Sequence, residues 1–122
     1  EIIMKMRGYF SLLLLVGSVF SISAHTNRNT QVGRPFNIDL VGNPTTGYTW
    51  TATVENPEIV SQSDKKYQAN PLAAGLAGVP GTETLTFIPS APGQTTLTVE
   101  YRRPWESQEA PAKTKTFIIN VQ

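Results

Sequence analysis

The chain contains no cysteine. That absence excludes disulfide staples, thiol nucleophiles and thiolate metal ligands, so the fold must rest on its hydrophobic core alone. Histidine is almost as scarce, with His25 the only one, and Asp39 and Asp64 are the only aspartates. A Ser-His-Asp or Cys-His constellation cannot be built around a well-placed base from this inventory, and no His/Cys/Asp cluster has the makings of a metal site. A carboxylate pair is conceivable from Glu83, Glu100, Glu106 and Glu109. Glu83 and Glu100, however, alternate with apolar neighbours and read as ordinary outer-face charges. The glycine-rich stretch "GLAGVPG" runs into a strand pattern rather than a helix, so no phosphate cradle is expected. No cofactor is expected either, and enzyme is the least supported class.

Charge of one sign is also lacking. Ten Lys and Arg stand against nine Asp and Glu, scattered singly or in pairs such as Lys65–Lys66 and Arg102–Arg103. Nucleic-acid binding needs a clustered basic excess, which is missing. Helical periodicity is absent past residue 30; only "NPLAAGLAG" holds helix-forming residues, and its proline and glycines break it. Past residue 24 no Asn-x-Ser/Thr acceptor occurs with x other than proline, so N-glycosylation is not expected.

One long apolar run exists, and it lies at the start. Lys5 and Arg7 precede an apolar segment from Tyr9 to Phe20, followed by the small residues Ser21, Ser23 and Ala24. A basic n-region, a short h-region and a small-x-small site describe a secretory signal peptide. Residues 1–24 are therefore expected to be removed, with Glu1 to Ile3, ahead of the first methionine, read as foreign to the natural chain. Residues 25–122 then form one domain in the secretory pathway, secreted or in a lysosome-like vesicle, with no membrane attachment. The alternative keeps the segment in a cytoplasmic protein, with "SVFSISA" as a buried first strand.

What is present is period-two alternation, the mark of half-buried strands. Phe36, Ile38 and Leu40 alternate with Asn37 and Asp39, and Tyr48, Trp50, Ala52 and Val54 with threonines. The same pattern recurs at Leu85 and Phe87, at Leu97, Val99 and Tyr101, and at Phe117, Ile119 and Val121; Ile59 and Val60 mark a short strand. Six or seven such strands between Pro/Gly turns predict an all-β, immunoglobulin-like β-sandwich. A first strand before Val32 is hard to place, because "HTNRNTQ" is polar.

In an aligned sandwich successive connections alternate between the two ends. Counting from strand 36–41, the connections 42–47, 63–81 and 103–112 fall at one end, and only tight turns fall at the other. Rigid scaffolds that gather loops in this way use them for binding. Asn43, Pro44, Thr45, Thr46 and Gly47 make a stiff first loop ahead of Tyr48, although the same residues also suit a plain hairpin turn. The middle loop, Asp64 to Gly81, is long and rich in Ala and Gly, fit for main-chain contacts in a groove. The third loop opens with Arg103, Pro104 and Trp105. An arginine beside a proline-fixed tryptophan has the composition of an interface hot spot. The plainer reading folds Trp105 back over the end of the core.

These segments, in this order, resemble the chagasin-type inhibitors of papain-like cysteine proteases. The family's Asn-Pro-Thr-Thr-Gly-Tyr/Phe motif is complete at Asn43 to Tyr48, and its Arg-Pro-Trp motif at Arg103 to Trp105. Its Gly-x-Gly-Gly motif corresponds to Gly78-Val79-Pro80-Gly81, with Pro80 in place of a glycine, and Leu76 belongs to the same loop. The resemblance implies a reversible inhibitor, monomeric when free, that occupies one protease active site with a three-loop wedge. Thr45 and Thr46 would lie nearest the catalytic cysteine and histidine. The middle loop would run along the substrate cleft, and Arg103 and Trp105 would pack on its other side. A secreted adhesive or protein-binding module with the same scaffold is the competing expectation.

Overall fold

The computed structural model describes residues 24–73, 79–106 and 108–122. The signal-peptide segment thus lies, apart from Ala24, outside the described residues. The strands are β1 (His25–Thr30), β2 (Phe36–Gly42), β3 (Thr49–Val54), β4 (Val60–Gln68), β5 (Gly81–Pro89), β6 (Gly93–Arg102) and β7 (Lys113–Val121). They form two sheets, ordered β1-β7-β6-β3 and β2-β5-β4, and the architecture is an immunoglobulin-like sandwich. All pairings are antiparallel except β1 with β7.

The alternation turns apolar residues inward from both sheets. Ile38, Leu40, Leu85 and Phe87 from one meet Trp50, Leu97, Val99 and Ile119 from the other, all but fully buried. Thr95 is buried among them, its hydroxyl accepting the Asn56 N–H at 2.9 Å at the end of tight turns.

Three expectations need correction. The polar segment before Val32 does form the first strand, pairing His25 to Thr30 with Thr116 to Val121. It can do so because an edge strand needs only the backbone ladder on one side. Its side chains add polar ties: Asn120 Nδ2 donates to Asn29 Oδ1, and Arg28 donates to the Asn37 carbonyl with its guanidinium over the Phe36 ring. The strand at Val60 is not short but runs to Gln68, so the middle loop is residues 69–80 rather than 64–81. After Val60 its side chains are all exposed, which leaves no alternation to read, and its charges suit an unpaired sheet edge. Glu83 is not an outer-face charge: it shares the inward phase of Leu85 and Phe87 and is 2% exposed.

The registers bring the long connections to one end as expected. Gly42 pairs with Gly81, Gln68 with Thr82, Thr49 with Arg102, and Tyr101 with Lys113. The connections 43–48, 69–80 and 103–112 therefore leave the sandwich side by side.

Candidate functional site

The first loop is not a hairpin turn, because β2 and β3 belong to different sheets. It crosses between them through one 3-10 turn, Pro44–Thr46, capped by Asn43 before and by Gly47 after. Proline suits the first position of such a turn, and Gly47 adopts φ +84°, a left-handed conformation costly for other residues. The Asn43 side chain accepts from the Thr45 N–H and, at 2.6 Å, from the Thr45 hydroxyl. The Thr46 hydroxyl donates to the Asn43 carbonyl at 2.7 Å. Both threonines are exposed, yet their hydroxyl protons are already used within the loop. What they can offer outward is methyl groups and oxygen lone pairs.

The third loop is locked to the first. Arg103 Nε donates to the Thr46 carbonyl at 3.2 Å, and its guanidinium lies 4.6 Å from the Tyr48 ring centroid. Tyr48 in turn stacks on Tyr101, whose hydroxyl accepts the Asn43 N–H at 3.0 Å. Within the third loop, Glu106 faces Arg103 across 3.7 Å. Trp105 lays one edge of its indole against Gly47; a side chain there would collide with the ring at Cη2. Even so, 70% of Trp105 is exposed. The tryptophan therefore does not cap the core: it stands on the first loop and presents a wide apolar face, with exposed Pro104 beside it.

The middle loop is less fully described. Leu76 and Gly78 lie outside the described residues. Val79 is half-buried and Pro80 exposed. Gly81 is not a loop residue at all but opens β5, buried where a side chain would strike the Gln68 carbonyl and the Tyr67 hydroxyl. Sequence reasoning put Gly42 and Lys65 at this end as members of the connections 42–47 and 63–81, and passed over Tyr101 and Glu83. Only the inward phase of Tyr101 and Glu83 on their strands signals them.

The end offers rigid backbone, small aliphatic groups and one large exposed aromatic, which is equipment for binding. Residues 29–121 match the Chagasin family peptidase inhibitor I42. Amoebiasin-1 of Entamoeba histolytica is 35% identical over 100 residues, covering 79% of this chain and 94% of the relative. Amoebiasin-2 of the same organism is 33% identical over 86 residues, covering 70% and 68%. A crystal structure of the cysteine protease inhibitor EhICP2 from Entamoeba histolytica superposes with a TM-score of 0.67 at 26% identity, covering 80% of this chain and 94% of that one. With the match running from the end of β1 through β7, the chain belongs to the chagasin family of peptidase inhibitors and is not an enzyme.

Proposed function

We propose that the chain inhibits papain-like cysteine proteases of the cathepsin L and B type by reversible, non-covalent occupation of the active-site cleft. One monomer serves one active site. The first loop, Asn43 to Tyr48, enters the catalytic centre; the middle loop, with Leu76 and Gly78 to Gly81, follows the substrate cleft; Arg103 to Trp105 grip the far side. The observation that carries this reading is the exposed Trp105 ring held on Gly47, an apolar face already fixed in place in the free chain and suited to a partner. Preassembly lowers the ordering cost of association.

The same geometry supports resistance to cleavage. The carbonyls of Asn43, Pro44 and Thr46 each accept a hydrogen bond from within the inhibitor. Presenting one of them for attack would break those bonds, and hydrolysis requires near-attack alignment. Inhibition of papain should therefore be competitive, be lost on dilution, and leave the inhibitor at its intact mass. A clipped chain after prolonged incubation, with activity returning as it is consumed, would instead mark a slow substrate. For its compartment we propose the secretory pathway, after removal of residues 1–24. N-terminal sequencing of the natural protein should then begin at His25; a chain retaining residues 12–20 would place it in the cytoplasm.

A further inference from the structure

We propose that Glu83 is a positioning residue for the inhibitory end, a buried carboxylate that sets the span of the first loop and ties it to the foot of the second. The inference rests on the inhibitor reading above. Glu83 sits on the inner face of β5, two residues beyond Gly81, where the middle loop ends. Its Oε1 accepts from the Thr49 hydroxyl at 3.0 Å and from the Trp50 N–H at 3.2 Å. Those are the first two residues of β3, immediately after the first loop. Its Oε2 lies against Gly42, the last residue of β2 before that loop, so close that a Cβ there would stand 2.5 Å from it. One carboxylate thus touches both legs of the loop that carries Thr45 and Thr46.

Side chains must set this span, because β2 and β3 lie in different sheets and share no ladder. The Trp50 indole donating to the Val41 carbonyl at 2.9 Å is a second tie of the same kind. Lys65 on β4 closes the network, its Nζ 3.6 Å from Glu83 Oε1 and donating to the Thr49 hydroxyl and the Trp50 carbonyl. Stability alone is a poor reason for such a group. Only Glu83 of the pair is buried, Lys65 being exposed, and taking one charge out of water costs more than an apolar residue of similar volume in the same place. Here Oε2 also has no hydrogen-bond partner among the described residues, which is costly. A costly group at the foot of the loops acts through geometry.

The opposite end supplies the control. Thr95 is equally buried and bonded to a turn, but lies far from the three loops. Four variants are compared in inhibition of papain and in amide NMR of residues 43–48 and the Trp105 indole. Glu83→Ala should raise the inhibition constant about ten-fold or more, and Glu83→Gln, which keeps an acceptor for Thr49 and Trp50, should stay within about three-fold. Gly42→Ala keeps Glu83 in the chain but displaces its carboxylate, so it should weaken inhibition and shift the loop signals even if Glu83→Ala does not fold. Thr95→Val should lower the melting temperature while leaving inhibition and loop signals at wild-type values. Wild-type inhibition and loop signals in Glu83→Ala or Gly42→Ala would overturn the inference, as would an equal loss of inhibition in Thr95→Val. Wild-type protein that does not inhibit would instead overturn the inhibitor reading, and the loop signals would still decide the role of Glu83.

Discussion

Trp105 carries two contacts of opposite kinds, an edge against Gly47 and a broad face in solvent. A ring so exposed contributes little to folding, and removing it should change stability by no more than about 0.5 kcal/mol. As an interface anchor it should matter far more, since hot-spot truncations cost about 2 kcal/mol or more, chiefly through faster dissociation. Trp105→Ala is therefore expected to speed dissociation from papain about 30-fold with an unchanged melting temperature. A lower melting temperature with unchanged dissociation would return the ring to a core-capping role. Gly47→Ala should act on both properties, because φ +84° strains any side chain and the added methyl pushes Trp105 off its seat. About 1 kcal/mol of stability and about ten-fold in affinity should be lost together. The residue scale is also where sequence reasoning was least complete. Asn43 to Tyr48 and Arg103 to Trp105 were legible as motifs. The Arg103–Thr46 bond that joins them spans 57 positions and leaves no local trace. Glu83 was misread because its charge was weighed above its phase with Leu85 and Phe87.

Among the elements, legibility followed burial on one face. Strands β2, β3, β5, β6 and β7 each bury alternate residues, and the two-residue period showed them. Strands β1 and β4 are edges held mainly by backbone pairing, so their polar side chains carried no period. The middle loop accordingly looked longer than it is. The contacts named for β1 tie it to β7 and to the start of β2 rather than to the three loops, which has a direct consequence. Deleting residues 25–30 removes a six-residue parallel pairing from β7 and bares its edge. Urea unfolding should show a loss on the order of 2 kcal/mol or more, while the inhibition constant stays within about three-fold. A large loss of inhibition at unchanged stability would mean that β1 itself meets the protease.

Across the whole molecule the sandwich divides its labour by end. One end is closed by short turns and by Thr95 bonded to Asn56. The other gathers three connections whose strand registers place them side by side, two of them locked by Arg103, Tyr48 and Tyr101. Connection parity made that grouping legible in the sequence, because each strand crossing reverses the end. The absence of cysteine has a use here as well: no disulfide is present to be lost under the reducing conditions that a thiol protease needs. The central claim is that this preassembled end blocks a papain-like active site, and titrating papain of known active-site concentration with residues 25–122 tests it most directly. Activity should fall linearly to zero at one inhibitor per active site; full activity at micromolar inhibitor would refute the claim.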